Sequence, residues 1–425
     1  MIRHPRGFRI PSHPTGRNAH GHLRRGATTL ATFLACAGLL AACSSSTAAS
    51  KAKLKTTTPT PAAGPIKIGI ITSLTGPFAP LGTNDQLGAK MAVAQVNAAG
   101  GINGRKIDLI IENDQTDPTQ AILDYQTLIS DGVVGVVGPV FSSSALALLG
   151  PADRAKVPTI MTSPTDSAVQ PTRPYVFMTP PLTSLWAEQE LAYMKYKGLT
   201  STSVMNMTDV FSVAGWQDTQ KLAPHYGIRI AGEQSFTPTT AAFTAPLTHV
   251  KNIGAKALMV WGAGPGIVAL TQQFNSMGLT MPLVFSGAEA SFLYLQPVGA
   301  AGNGKIIAAS IGEVGPYLPA GPLKTEVMSF VNAFEAANHY YPPEFAMDAY
   351  SAVELLATAM HKATTITPAA IDTVLNHTSL LTPMGTFNYT PSDHAGLSLN
   401  DIVITTDENG TLTPTHFTLK QLGAS

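Results

Sequence analysis

The sequence predicts an α/β fold with two parallel-sheet lobes. Short apolar segments rich in β-branched residues alternate with helical segments over residues 66–162 and again over residues 182–309. Strict strand–helix alternation is typical of parallel sheets covered by helices on both faces. After residue 322, two helical segments follow each other without a strand between them. We therefore expect the chain to cross between the lobes more than once, because these helices have no sheet of their own.

The first lobe is predicted from residue 66 onward. Strands are expected over residues 66–72, 106–112, 133–137 and 157–162, and helices over residues 83–99, 118–130 and from 145. The first helix has apolar residues spaced by three and four, and Asp117 before Pro118 is a typical start for the second. A turn-rich loop over residues 73–82 joins the first strand to the first helix.

The second lobe repeats the pattern. Helices are expected over residues 182–197, 214–225 and 265–277, with strands over 203–207, 228–233, 256–261, 283–286 and 305–309. Three helices follow over residues 323–338, 347–361 and 367–375, and residues 386–419 are predicted as strands and turns. The predicted lobes comprise residues 66–181 with 312–396, and residues 182–311 with 397–425.

Composition limits the possible partners. The chain has 425 residues, of which 44% are hydrophobic and 12% charged, so it can bury a sizeable core and is unlike a disordered protein. Residues 1–42 contain six arginines and no acids, which leaves 20 basic and 26 acidic residues in the remainder. This net charge of −6 on the remainder does not favour binding to nucleic acid.

The N-terminus has the pattern of an exported lipoprotein. An arginine pair precedes a short apolar run over residues 27–42, typical of a signal-peptide core and too short for a comfortable membrane span. The run ends in LAAC, which resembles the bacterial lipobox. We expect residues 1–42 to be a signal peptide, Cys43 to be lipidated at the outer side of the cell membrane, and residues 43–65 to form a flexible tether. The general secretory and twin-arginine export routes both remain open.

One turn is a candidate anion site. The apolar strand over residues 133–137 suits a sheet buried on both faces, and Ser142, Ser143 and Ser144 come just before the next helix. Serine is a favoured N-cap, and the free N–H groups of a helix N-terminus can bind a carboxylate. The local sequence alone favours a simple helix cap, so the rest of the chain has to decide between the two interpretations.

Further candidates follow from the topology, because ligands of open α/β sheets bind at the carboxyl ends of the strands. The polar and aromatic residues directly after predicted strands are Phe141, Ser142, Ser143, Ser163 and Thr165 in the first lobe and Asp209, Phe211 and Glu289 in the second. One lobe offers hydroxyls and N–H groups, and the other offers carboxylates and aromatics. This division fits a zwitterion held between the lobes. For Glu289, a solvated loop carboxylate is an equally good interpretation.

Four segments carry a family resemblance: SLTGPFAPLG, VNAAGGINGRKIDLIIENDQTDP, GPVFSSSA and PPEFAMDAYSAVELLATAM. Together they resemble the branched-chain amino-acid-binding family, the type 1 periplasmic-binding proteins that deliver ligands to an ABC permease. The resemblance runs from about residue 66 to the end and implies a bilobal fold joined by a multi-crossover hinge. It also implies a binding protein without enzymatic activity or cofactor, which captures an amino acid or similar small carboxylate by hinge closure.

The same resemblance implies roles for particular residues. It assigns the ligand carboxylate to Ser142, with the backbone of Ser163 and the side chain of Thr165 assisting from the next loop. It assigns the ligand ammonium group to Glu289. These roles are expectations from the family pattern and do not follow from the spacing of the residues.

The sequence departs from the family pattern around the ligand side chain. Leu81 stands where relatives often have an aromatic residue, and Phe211-Ser212 replaces the usual Tyr-Gly pair. The loop over residues 262–266 lacks a further aromatic that is common in leucine binders. Leucine, isoleucine or valine is therefore not assumed to be the ligand.

Other functional classes fit less well. A hydrolase would need a nucleophile beside a base, yet none of the histidines after residue 42 lies next to a candidate serine motif, and no GxSxG or metal-binding spacing occurs. A dinucleotide-binding dehydrogenase would need a glycine-rich turn after its first strand, which residues 72–76 do not supply. The remaining alternative is a lipoprotein of the same fold that senses a ligand and signals to a membrane partner.

Overall fold

The computed structural model describes residues 64–423. The predicted signal peptide, Cys43 and almost all of the tether lie outside these residues. The strands are β1 (Ile66–Thr72), β2 (Ile107–Asn113), β3 (Val136–Val137), β4 (Thr159–Met161), β5 (Val176–Met178), β6 (Ser201–Met207), β7 (Arg229–Phe236), β8 (Ala257–Trp261), β9 (Leu283–Phe285), β10 (Ile306–Ser310), β11 (Ser379–Thr382), β12 (Gly385–Asn388), β13 (Ile402–Asp407) and β14 (Leu412–Pro414). The helices are α1 (Ala79–Ala98), α2 (Pro118–Ser130), α3 (Ser142–Ala155), α4 (Asp166–Val169), α5 (Thr183–Tyr196), α6 (Val210–Leu222), α7 (Thr244–Ile253), α8 (Pro265–Ser276), α9 (Phe292–Val298), α10 (Pro322–Asn338), α11 (Glu344–Lys362), α12 (Pro368–Leu375) and α13 (His416–Gln421).

The strands form two sheets dominated by parallel pairs, together with a separate β11–β12 hairpin. The first sheet has the order β2-β1-β3-β4-β5, and every pair in it is parallel. The second has the order β14-β13-β10-β9-β8-β6-β7, with β13 and β14 as an antiparallel edge. The predicted α/β class with two parallel-dominated sheets is therefore confirmed.

The chain passes between the two sheets several times. It leaves the first sheet after β5 and enters the second through α5 and β6. After β10 it returns to the first, where α11 packs along α1. It then comes back to pair β13 with β10. The exact lobe boundaries given above stay a prediction.

Close packing positions α11 against the first sheet. A side chain on Gly88 of α1 would overlap the backbone of Ala346, so glycine allows the two helices to approach. The Tyr350 hydroxyl donates to Oε1 of Gln95 at 2.6 Å and ties the two helices together. Because α11 is buried along most of its length, its polar residues near residue 344 are held in a defined place.

Some element boundaries differ from the sequence prediction. Of residues 133–137 only Val136–Val137 pair as β3, while the N–H of Val134 still donates to the carbonyl of Lys67 at 2.9 Å. The helix predicted from residue 214 begins at Val210, because Asp209 caps it. The C-terminal segment, predicted as strands and turns, ends in α13.

Other elements have no counterpart in the prediction. β5 and α9 are too short to show a clear hydrophobic period, and α7 carries a proline, Pro246, in its first turn. A proline is tolerated there because the N–H groups of the first turn have no partner within the helix. Separately, no helix within residues 64–423 has both the length and the hydrophobicity needed to cross a membrane.

Candidate ligand site between the two sheets

A cavity lies where the carboxyl ends of the two sheets face each other. The first-sheet side contributes Phe78, Leu81, Val140, Phe141, Ser142, Thr162 and Pro164, the second-sheet side contributes Trp186, Asp209, Phe211, Ala263, Gly287 and Ala288, and α11 contributes Glu344, Phe345 and Asp348. This is where α/β sheets bind ligands.

The cavity brings together part of the predicted site. Leu81, Phe141, Ser142, Asp209 and Phe211 line it. The remaining first-lobe candidates lie just outside the lining: Ser143, Ser163 and Thr165. The last two are buried, and their hydroxyls lie 3.2 Å apart. These two residues lie in the segment after β4 and do not line the cavity themselves.

The serine turn differs from the prediction in one detail. Phe141 occupies the N-cap position of α3 and makes no side-chain capping bond, so the expectation that the serines cap the helix is wrong. Ser142 is the first helical residue, and its hydroxyl donates to the carbonyl of Pro164 at 3.4 Å. The side chain of Phe141 stacks on Phe78, with ring centroids 5.0 Å apart. The N–H groups of the first turn of α3 are therefore left without a side-chain cap at the cavity.

Gly138 allows the serine turn to sit next to the end of β1. Its φ is +89°, in the left-handed region, and a side chain there would overlap the carbonyl oxygen of Ile71. Any other residue would be strained at this φ and would push the turn away from the sheet.

Aromatic side chains form much of the remaining wall. They are Phe78, Phe141, Trp186, Phe211 and Phe345. The ring of Trp186 packs so closely over Gly287 that a side chain at residue 287 would overlap it. Sequence reasoning found only two of these aromatics, because Phe78, Trp186 and Phe345 come from segments outside the strand ends considered. Phe78, Trp186 and Phe345 supply aromatic surface in the cavity, although Leu81 stands where relatives often have an aromatic residue.

Sequence reasoning also missed the acidic wall on α11. Glu344 and Asp348 are one helical turn apart in the mostly apolar first half of α11, which is the signal that could have revealed them. Both side chains are buried. Burial raises the pKa of Glu344 to about 8. Burial also raises the pKa of Asp348 well above its usual range, and repulsion from Glu344 and Asp85 adds to the effect.

A comparison with known families decides what kind of protein this is. The periplasmic binding protein family matches residues 65–403. The chain belongs to this family.

Individual relatives support that assignment. The protein is 28% identical over 337 residues to a leucine-, isoleucine-, valine-, threonine- and alanine-binding protein of Pseudomonas aeruginosa, covering 77% of this chain and 86% of the relative. Its fold matches a branched-chain amino acid transporter substrate binding protein of Streptococcus pneumoniae solved with isoleucine (TM-score 0.74, 23% identity, 82% of this chain and 97% of that one). It also matches a solute binding protein of an ABC transporter from Rhodopseudomonas palustris solved with benzoate (TM-score 0.73, 20% identity, 83% and 95%). The predicted type 1 periplasmic-binding fold is confirmed.

In this periplasmic binding protein, Glu289 lies apart from the serine cavity. It is buried, accepts a bond from the Ser286 hydroxyl at 3.4 Å, and lines an adjoining cavity that shares Leu81, Ala263 and Ala288 with the first. Burial raises its pKa well above the usual range, and repulsion from Glu190 and Asp209 acts in the same direction. Glu289 therefore lines the space next to the one that contains Ser142, and its role at the ligand's ammonium group stays a prediction.

A buried carboxylate fixes the start of α11. Glu313 lies in the segment after β10 and accepts from the N–H of Ser310 at 3.1 Å and from the N–H of Glu344 at 3.3 Å. It thereby links the end of a second-sheet strand to the first residue of α11. The two acids of α11 are positioned by this link.

Another helix start lies at the junction of the two sheets. Leu182 at the N-cap of α5 has no side-chain capping bond, but Asp166, the first residue of α4, accepts from the N–H groups of Thr183 at 2.8 Å and Ser184 at 3.4 Å. Burial raises the pKa of Asp166 to about 6, although these bonds favour its charged form. A carboxylate from one half of the molecule thus caps a helix of the other.

Among the described residues, no group of three or more His, Cys, Asp or Glu side chains is arranged to hold a metal ion. His394, the most buried histidine near the first sheet, stacks on Phe177 with centroids 4.2 Å apart and hydrogen-bonds through Nδ1 to the carbonyl of Val176 at 2.7 Å. Its contacts are those of a packed core residue.

Proposed function

We propose that the protein is an extracytoplasmic solute-binding protein of an ABC importer. It captures an amino acid or a similar small carboxylate between its two sheets and passes it to a permease. The observation that carries the proposal is the cavity at the carboxyl ends of both sheets, with the open first turn of α3 in its wall. Family membership and the relatives described above support the same conclusion.

The carboxylate of the ligand binds at the serine turn. Ser142 offers a hydroxyl whose present bond to Pro164 is long, at 3.4 Å, and is easily exchanged for a charged acceptor. The N–H groups and positive end of α3 add to the attraction. Ser143, Ser163 and Thr165 support this end of the ligand from the same two loops.

The rest of the ligand is small and largely apolar. Besides the aromatic residues, the apolar part of the lining includes the smaller side chains of Leu81, Val140 and the alanines. Both an aliphatic side chain and a benzene ring suit such a surface, as the isoleucine and benzoate bound to the two structural relatives illustrate. Asp209 and Phe211 complete the wall from the second sheet.

Binding closes the two halves. The ligand groups are divided between sheets that are joined only by crossover segments, so a ligand that contacts both favours the closed arrangement. Small-angle X-ray scattering of the purified protein should show a smaller radius of gyration with saturating ligand than without it.

The protein is held at the membrane by its N-terminus. Cys43, outside the described residues, carries the lipid, and the tether lets the binding domain reach a permease. In this arrangement C43A should move the protein from the membrane fraction to the soluble fraction. An unmodified wild-type protein released from the cell would contradict the anchor.

Titration calorimetry tests the proposed function. The probes are leucine, isoleucine, valine, threonine, alanine and benzoate, each added to the wild type, to S142A and to S276A. Ser276 is exposed at the end of α8 and serves as the matched serine control. We expect S142A to lose roughly 1.5–3 kcal/mol of binding free energy, about tenfold or more in Kd, because a hydrogen bond to a charged group is removed. Unchanged affinity in S142A would move the carboxylate site elsewhere.

A further inference from the structure

We infer that Asp348 and Glu344 on α11 form a cation subsite in the ligand cavity and bind a protonated amine of the ligand. The inference rests on the proposed function, because it names the chemistry at the second end of the carboxylate ligand. It places the ligand amine at α11, whereas the family resemblance places it at Glu289.

Asp348 is a buried acceptor facing the cavity. Its side chain is 1% exposed and lines the same cavity as Ser142. Its Oδ1 has no hydrogen-bond partner among the described residues. A buried carboxylate oxygen left without a donor is costly, so a donor from the ligand would satisfy it.

The neighbouring carboxyls already have partners. Asp85 accepts from the Thr162 hydroxyl at 2.6 Å. Glu313 accepts from two backbone N–H groups, as described above. Asp209 accepts from the N–H and the hydroxyl of Ser212 at 3.2 and 2.6 Å. Asp85 also has an oxygen without a described partner, Oδ1, but it does not line the cavity. Of the three acids that line the cavity, Asp348 is the one with a buried oxygen that lacks a described partner, and Glu344 lies one turn before it.

The lining supplies no balancing charge. The residues that surround the cavity include three carboxyls and no lysine, arginine or histidine. A protonated amine between Asp348 and Glu344 would make charge-assisted bonds and relieve the repulsion between two buried acids. An uncharged ligand end would leave this repulsion in place.

Glu289 is a weaker candidate for the same role. Its carboxylate has a partner in Ser286, and it lines the neighbouring cavity instead of the one that contains Ser142. Among the acids lining the cavity with the serine turn, Asp348 on α11 is the one with a buried oxygen that lacks a described partner.

The test compares matched pairs of probes that differ only in the amine. Each amino acid is paired with the acid that lacks only its amine: leucine with 4-methylpentanoate, isoleucine with 3-methylpentanoate, valine with 3-methylbutanoate, threonine with 3-hydroxybutanoate, and alanine with propanoate. Benzoate is added as an aromatic acid. Affinities are measured by calorimetry for the wild type, D348N, E344Q and E289Q. E354Q is the control, since Glu354 lies on the same helix outside the cavity lining.

We expect at least one amino acid to bind the wild type about 30-fold or more tightly than its deaminated partner. D348N should weaken the binding of the amino acid but not of its deaminated partner, which reduces this preference to a few-fold. E344Q should reduce the preference less. E354Q and E289Q should keep it. Thermal melts without ligand establish whether each variant is folded. If D348N does not fold, the comparison of E344Q with the wild type tests the inference.

Three outcomes would overturn the inference. Equal affinity for both members of every pair, or benzoate binding more tightly than every amino acid, would remove the amine while leaving carboxylate binding intact. A preference lost in E289Q and kept in D348N and E344Q would place the amine on Glu289. If the wild type binds none of these probes, the proposed function itself fails and the inference loses its basis.

Discussion

Helices α3 and α5 both begin at the junction of the two sheets, and neither has a capping side chain at its N-cap residue. In α5 the exposed N–H groups are satisfied by the carboxylate of Asp166, which comes from the other half of the molecule. In α3 no described side chain takes that place. The comparison shows that a carboxylate fits a helix start at this junction, and that the first turn of α3 has no such partner among the described residues.

Helix α11 presents the opposite chemistry to the same cavity. Its first residue is Glu344, and Asp348 follows one turn later. A ligand bound as proposed would meet hydrogen-bond donors at α3 and carboxyls at α11. This polarity would orient a zwitterion along the cavity.

The largest expected effect comes from filling the open helix start. S142D places a carboxylate in the first turn of α3, in imitation of Asp166 at α5. We expect at least about 100-fold weaker binding of the amino acid that the wild type prefers, because two anions would compete for one site. S142N is the neutral control of similar size, and calorimetry measures both. Wild-type affinity in S142D would show that α3 does not hold the carboxylate.

The acidic wall should make the stability of the unliganded protein depend on pH. The pKa of Glu344 is raised to about 8 in the folded state, so the folded protein keeps a proton that the unfolded chain releases above about pH 4.5. The groups that face it, Glu313, Asp348 and Asp85, are also acids with raised pKa values. The melting temperature should therefore fall as the pH rises from 5 to 8.5.

The variant E344Q separates this effect from general charge repulsion. Its melting temperature should fall less over the same pH range, because the residue no longer titrates. A saturating amine-bearing ligand should also flatten the fall, because the amine favours the deprotonated acids. Thermal melts in matched buffers check both points, and an identical slope in E344Q and wild type would contradict the burial of an unpaired acid there.

A smaller effect is expected at the aromatic wall opposite α3. In G287A the new methyl group would overlap the ring of Trp186, which must then move. Overpacking of this kind costs about 1–3 kcal/mol, and we expect a loss of about tenfold in ligand affinity. G266A is the control, because a side chain there meets only the carbonyl of Thr240 at 3.5 Å. Equal affinities in the two variants would show that Trp186 can move without disturbing the ligand.

The smallest expected effect concerns the filled helix start. D166A removes the carboxylate that caps α5, which should cost about 1 kcal/mol of unfolding free energy, as for other helix caps. D153A is the control, since Asp153 makes an exposed ion pair with Arg173 at 3.4 Å that should contribute little. Urea denaturation measures both. A loss in D153A as large as in D166A would argue against the special role of the α5 start.

The sequence alone determined the fold class and one end of the site. Strand–helix alternation and strand ends are properties of neighbouring residues, so they predicted the two sheets and placed Ser142, Asp209 and Phe211 at the correct edge. The family resemblance added the type 1 fold. The same local reasoning favoured a serine as N-cap and was wrong: Phe141 takes that position, and its ring stacks on Phe78, more than 60 residues earlier in the chain.

Only the tertiary structure decided which acids belong to the cavity. Glu344 and Asp348 lie far from Ser142 in the chain and reach the cavity because α11 returns to pack against α1 after the second sheet. Glu289 follows a strand as the candidates should, yet it lines the adjoining cavity. Local patterns report which residues follow a strand, whereas the direction a side chain faces depends on packing between segments distant in sequence. The donors of this site could therefore be predicted from the sequence, and its acidic wall could not.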